Sequence, residues 1–249
     1  IVDDGRLHLM LSRSPYDVII SEPSNPWMAG IVSLFTREFF ESARRNLAPG
    51  GVLCQWAHTY DISDSDFRSI VATFLSVFPN GSLWLIGKGD VLLVGSNESL
   101  DTRFGEMVRH WERPGVASDL LEVGVHKPFD VLSMFVAQGQ ALTRYTDDAL
   151  VQTDDRSELE FSGPRSAFGP PANRNDDILR QLARTATAPA AVQTAVGQSG
   201  PIDWRNHGSM MLRAEVYETA WHAFARALES NPGDADAYKG LMRASIPGA

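Results

Sequence analysis

The chain has 249 residues, 43% hydrophobic and 21% charged, a balance that supports a packed core and excludes intrinsic disorder. Its formal net charge of −9 argues against nucleic acid as the main partner. The single cysteine, Cys54, excludes an internal disulfide and a cysteine-rich metal site, and no apolar run approaches the roughly 18 residues that span a bilayer.

Ile1 rather than Met opens the chain, on a strand-like stretch, so the sequence reads as the continuation of a fold begun upstream. Residues 16–20 are a short β-branched run stopped by Ser21-Glu22-Pro23, the pattern of a buried parallel strand. Residues 34–47 place Leu34, Phe35, Phe39, Phe40, Ala43 and Leu47 at helical spacing, and Pro49-Gly50-Gly51 stops that helix. Residues 52–56 form the next strand. Ser63 caps a further helix, which carries Phe67, Ile70, Val71, Phe74, Leu75 and Phe78 on one side and ends at Pro79-Asn80-Gly81. Residues 82–86 and 91–95 are strands joined by the turn Gly87-Lys88-Gly89-Asp90. Strand–helix–strand–helix followed by a hairpin predicts an α/β fold, the C-terminal half of a doubly wound Rossmann-type sheet. No glycine-rich nucleotide loop is found, so the first three strands of such a sheet are expected upstream of Ile1.

Residues 97–168 read as a mainly helical appendix to the sheet core at 1–96, with helices at 100–111 and 128–140. Residues 162–174 are rich in Pro, Gly, Ser and Asn and read as a linker. Residues 169–200 thus connect the two parts and carry one helix, at about 176–185. In the tail, 201–249, Trp204, Gly208, Ala220, Phe224, Ala227 and Pro232 fall on the spacing of one tetratricopeptide repeat of about 34 residues. Tyr238 and Leu241 then take the matching positions of a next helix. His207 and Met211 depart from that pattern, and an ordinary helical hairpin is the plain alternative. Such helices are a candidate surface for a protein or peptide partner.

The segment 16–27 carries the most chemistry. A strand ends and immediately presents Glu22, Ser24 and Asn25, and ligands of open α/β sheets bind beyond the carboxyl ends of the strands. A carboxylate and an amide three residues apart in a turn can hold an amine, with Pro23 and Pro26 stiffening the loop. The bland reading is a rigid turn with solvated polar groups. His58, Tyr60 and Asp61 follow the second strand, and His58 is a candidate general base, though a loop histidine is commonly no more than that. Thr153-Asp154-Asp155 adds two carboxylates that either line an entrance for a cationic amine or cap a loop. The histidines do not cluster at metal-ligand spacing, so no metal is expected.

The run Ser21-Glu22-Pro23-Ser24-Asn25-Pro26 resembles the Asp-Ser-Ser-Asp-Pro loop of the spermidine synthase (polyamine aminopropyltransferase) family, with Glu22 at the first aspartate and Asn25 at the second. In that family the first aspartate helps deprotonate and orient the attacking amine and the second helps bind the diamine. The resemblance therefore implies Glu22 as catalytic base, while Asn25 binds substrate without the second negative charge. Asp4 and Gly5 are similar to the Asp-Gly pair that touches the adenine of the sulfonium cofactor. Gln55 matches the strand glutamine that reaches the substrate pocket, and Tyr60, Asp154 and Asp155 are further substrate-side candidates. The family tyrosine expected after the next strand has no clear match near Gly87 to Asp90. Glu-Pro-Ser-Asn-Pro-Trp with Thr153-Asp154-Asp155 and Leu159-Glu160-Phe161 is similar to a bacterial subgroup fused to N-terminal membrane domains and sometimes to tetratricopeptide repeats.

What the resemblance implies is a transferase acting in the cytoplasm, with a parent protein that the subgroup resemblance ties to a membrane anchor. Its co-substrate would be decarboxylated S-adenosylmethionine and its acceptor a small cationic amine. The 249 residues alone are expected to be inactive. Two alternatives stand beside it. One is a methyltransferase using S-adenosylmethionine, because Asn25-Pro26-Trp27 is near the Asn-Pro-Pro-aromatic loop of that class. The other is a degenerate scaffold that binds a partner through its helical tail.

Overall fold

The structure is a computed structural model that describes residues 4–12, 14–26, 28, 30–162 and 174–245. The chain opening at Val2-Asp3, Trp27 and most of the linker lie outside the described residues. The chain divides into two compact units: residues 1–100 with 136–187, and residues 101–135 with 188–249.

The first unit is built on a five-stranded sheet of order β1-β2-β4-β3-β5. Its strands are β1 (Tyr16–Ser21), β2 (Leu47–His58), β3 (Ser82–Leu85), β4 (Asp90–Ser96) and β5 (Phe135–Gln138). β1 and β2 are parallel, with Ile19 opposite Leu53 and Ser21 opposite Gln55. The crossover between them is the helix α2 (Arg37–Arg45), preceded by a 3-10 turn (Ile31–Phe35). α3 (Asp64–Val77) leads from β2 to β3, capped by the Ser63 hydroxyl on Asp66 N–H at 3.1 Å. β4 then returns antiparallel and inserts between β2 and β3. This is the doubly wound α/β half with a closing hairpin read from the sequence, its turn made possible by Gly89 at φ +84°.

α2 and α3 cover one face of the sheet because their aromatic stripes meet there. Phe39, Phe40, Phe67, Ile70 and Phe74 pack with Leu53, Leu83 and Leu93 in one buried cluster. Phe40 meets Phe74 edge-on at 5.5 Å. Where β2 begins, Pro49-Gly50-Gly51 makes the register with β1 slip. A side chain on Gly51 would lie 2.8 Å from the Tyr16 carbonyl, so only glycine fits.

Three readings need correction. β1 is not buried on both faces: Ile19 is covered, but Val18 and Ile20 are 57% and 73% exposed. β1 is the edge of the described sheet, and alternation turns these two side chains away from α2 and α3. The expected helix at 128–140 is a short helix, α6 (Pro128–Leu132), followed by β5. Phe135 to Ala137 is fully buried, and that continuous run pairs at the sheet edge instead of extending the helix. A helix at Gly5–Leu11, α1, was not read at all, although Asp4 caps it.

In the second unit, α4 (Leu100–His110), α5 (Val116–Glu122), α6 and α9 (Ala190–Gly197) accompany three tail helices. These are α10 (Pro201–Arg213), α11 (Tyr217–Ser230) and α12 (Ala235–Ala244). Phe224 of α11 is their common core, 1% exposed, with Gly208 of α10 and Gly240 of α12 against its ring. α7 (Gln140–Tyr145) and α8 (Asn175–Thr185) belong to the first unit.

Candidate functional site

A cavity of about 580 Å³ runs along β1 between α1 and the 3-10 turn. Its floor is apolar, from Val18, Ile20, Ile31 and Leu34. Its polar groups are Asp4, Arg6, His8, Tyr16, Ser21, Glu22 and Ser33. A mostly apolar hollow with a few convergent polar groups is the ordinary form of a small-molecule site.

Asp4, Gly5 and Glu22, which the family resemblance singled out, line this one cavity. The Asp4 carboxylate accepts Leu7 N–H at 3.0 Å and so caps α1. Gly5 opens α1, and a side chain there would meet nothing within 4 Å. The fold does not require that glycine; it leaves open space above the helix start. Glu22 stands exposed just past the end of β1, beside buried Pro23. Its charge acts on Cys54, whose thiol is pushed up first by burial and then by Glu22. Glu22 therefore lies on the outward face of the sheet, with Ile20 and Cys54.

The other candidates stand apart from this cavity. Gln55 is fully buried on the opposite, helix-covered face, because Cys54 and Gln55 alternate across β2. Its Nε2 donates to the Trp56 carbonyl at 2.9 Å, and its buried Oε1 has no hydrogen-bond partner among the described residues. Asn25 is half-buried, and its carbonyl accepts Met28 N–H at 3.0 Å in the turn. His58 and Tyr60 stack on each other at 4.2 Å beyond the end of β2. The His58 Nδ1 meets the Tyr60 carbonyl at 2.8 Å, which makes it the donor. Burial holds the His58 pKa below its usual value, against the opposing pull of that bond and of Asp61 and Asp90. Tyr60 is raised, by burial first and then by Asp90 and Asp61. Asp155 is exposed in its turn.

Asp154 is not an open carboxylate. One oxygen pairs with the Arg6 guanidinium and the other accepts the Thr36 hydroxyl at 2.8 Å. Its N–H donates to Glu38 at 3.0 Å. Burial alone would raise this carboxyl, but the bonds from Arg6 and Thr36 and the Arg6 charge hold it below the usual carboxylate range. Arg6 also donates to the Ser33 carbonyl at 3.0 Å.

Arg6, His8 and Tyr16 are cavity residues that sequence reading missed. His8 Nε2 lies 2.8 Å from the Tyr16 hydroxyl, which also sits 3.2 Å from Ser12. The signal was available: capping by Asp4 implies a helix from Gly5, which puts Arg6 and His8 in its first turns. Among the described residues, no group of three or more His, Cys, Asp or Glu side chains is placed to hold a metal ion. Among them, too, no helix is long and apolar enough to cross a membrane.

Residues 1–86 match the family described as Spermine/spermidine synthase domain. A spermine synthase of Arabidopsis thaliana is 34% identical over 107 residues, which cover 34% of this chain and 30% of that protein. The chain thus spans about a third of the curated relative it matches. The crystal structure of a probable spermidine synthase from Corynebacterium glutamicum is similar with a TM-score of 0.39 and 24% identity, over 64% of this chain and 55% of that one. The similarity to spermine and spermidine synthases thus lies in residues 1–86 and in the 107-residue stretch shared with the plant protein.

Proposed function

We propose that the cavity along β1 is part of an aminopropyl transfer site for polyamine synthesis. The observation that carries the reading is the meeting of Asp4, Gly5 and Glu22 in one 580 Å³ hollow at the mouth of a parallel strand pair. Decarboxylated S-adenosylmethionine would supply a carbon next to a positively charged sulfur. Asp4 and the open space over Gly5 fit the adenine end of such a molecule. An attacking amine must shed a proton, since ammonium groups of this kind titrate near 10.4. Glu22 accepts the hydrogen bonds of that amine and takes the proton as the new carbon–nitrogen bond forms and the carbon–sulfur pair leaves with sulfur. Asn25 lies in the turn beyond Glu22, outside the cavity lining, and the remaining work is alignment. Gln55 supports β2 from its far face in this reading.

Among the described residues, none that lines the cavity forms a glycine-rich nucleotide loop. The 249 residues are proposed to bind without turnover. α10, α11 and α12 are proposed as a tetratricopeptide-like stack that offers a peptide surface. Titration calorimetry of the chain tests the main reading. Tighter binding of decarboxylated than of ordinary S-adenosylmethionine is expected; equal or reversed affinity would favour methyl transfer.

A further inference from the structure

The outward face of β2 carries an aromatic run that begins level with Glu22. Cys54, Trp56 and His58 alternate onto that face, and Leu53, Gln55 and Ala57 onto the helix-covered one. Ser21 pairs with Gln55, so Glu22 at the end of β1 stands beside Trp56. His58 follows two residues further along β2, about 7 Å. The Trp56 and His58 rings lie 5.3 Å apart, and His58 stacks on Tyr60 at 4.2 Å with 17° between the planes. Two features fix this stack: the bond from His58 Nδ1 to the Tyr60 carbonyl, and Gly89, where a Cβ would lie 3.0 Å from the Tyr60 ring. His58 is buried, while Tyr60 keeps 39% of its surface exposed. Burial holds the His58 pKa down, so at neutral pH the stack presents neutral rings and not a positive charge. The charges of Asp61 and Asp90 act on both rings. Unlike Asp154, neither of these carboxylates forms an ion pair among the described residues.

We propose that the exposed Tyr60 ring, flanked by Asp61 and Asp90, is the subsite for the far ammonium of a diamine acceptor whose reacting nitrogen sits at Glu22. The inference deepens the amine-transfer reading above and rests on it. An aromatic face attracts an ammonium through the ring quadrupole, and adjacent carboxylates add a direct opposite charge. Trp56, half-buried between the two ends, borders the methylene chain that joins the nitrogens. Asn25 brings no second negative charge to the loop after β1, and the end of β2 supplies that charge instead. Tyr60 and Asp61 thus select for a second cation at a set distance from the first.

The test is a titration of the whole chain by NMR with 1,4-diaminobutane and with butylamine, at low salt. The readout is the ratio of the two affinities. The diamine is expected to bind about tenfold more tightly than butylamine, and equal affinities overturn the proposal. Asp61 takes φ +52°, a region that Asn also tolerates, so Asp61→Asn removes the charge and keeps the backbone. It is expected to lower the ratio about threefold. Tyr60→Leu is expected to lower it about fivefold, while Tyr60→Phe keeps the aromatic face and the ratio. A tyrosine that only packs on His58 would weaken both amines alike or lower the melting temperature with the ratio fixed, which overturns the proposal. Should Tyr60→Leu fail to fold, Asp61→Asn decides, and an unchanged ratio there overturns the proposal too. Glu22→Gln separates the two layers. Butylamine binding that depends on Glu22, with a ratio that ignores Tyr60 and Asp61, removes only this subsite. Amine binding that ignores Glu22 removes the transfer reading and this inference together.

Discussion

Glu22 and Gly5 carry different weights in fold and function, and that difference is measurable. Glu22 is exposed and no packing depends on it, so Glu22→Gln is expected to leave thermal stability within about 0.5 kcal/mol. Amine affinity, measured by titration, should fall about tenfold, because the amide cannot offset the ammonium charge. Gly5→Ala introduces a methyl into open space at a helix start, so stability is expected to hold or rise by up to about 1 kcal/mol. If the same substitution weakens binding of the adenosyl ligand, the glycine serves the ligand and not the fold. Glu22 was legible in the sequence because a strand end has a local signature, whereas Asp4 and Gly5 were named only through the family resemblance. Gln55 was not placed correctly, because a one-residue step along β2 decides which face a side chain takes. Its orphaned Oε1 gives Gln55→Met an expected neutral or slightly stabilising effect on unfolding, since the desolvation of that oxygen is removed.

At the level of elements, the tail helices and α6 each rest on one buried group. A methyl on Gly240 would run into the Phe224 ring, which has no room to move at 1% exposure. Gly240→Ala is expected to destabilise α12 by about 1–3 kcal/mol, seen as faster amide exchange over 235–244. The same change at Gly5 helps or is silent, so the contrast isolates packing from propensity.

His207 in α10 is buried beside Ser133, whose Oγ lies 3.2 Å from Nδ1, with Asp130 at 4.0 Å. Burial depresses its pKa from 6.5 to about 4. A depressed histidine contributes stability that is present above pH 6.5 and lost as pH falls towards 4, on the order of 3 kcal/mol. Asp130 works in the opposite sense: burial outweighs the caps to His126 and Lys127 N–H and raises its pKa, so protonating it in acid offsets part of the loss. Net loss of exchange protection over 128–133 and 201–213 between pH 7 and pH 4 is expected, and His207→Leu should flatten it. These helices were legible from spacing, whereas β5 was not. A buried apolar run of three residues looks the same in a helix and at a sheet edge until its neighbour strand is known.

For the molecule as a whole, the sequence was most informative where local and long-range order coincide, across residues 16–96. Capped helices and β-branched runs there alternate with little ambiguity. It was least informative about contacts such as Arg6 with Asp154, which join positions 148 residues apart and leave no trace in spacing. The central claim is that one hollow along β1 holds both the adenosyl group and the amine. A crystal structure of the chain with the thioether product 5′-methylthioadenosine and butylamine addresses it directly. Adenine beside Asp4 and Gly5, with the amine in hydrogen-bond reach of Glu22, is the expected result. Either ligand bound at a surface that excludes Glu22 and Gly5 would contradict the account.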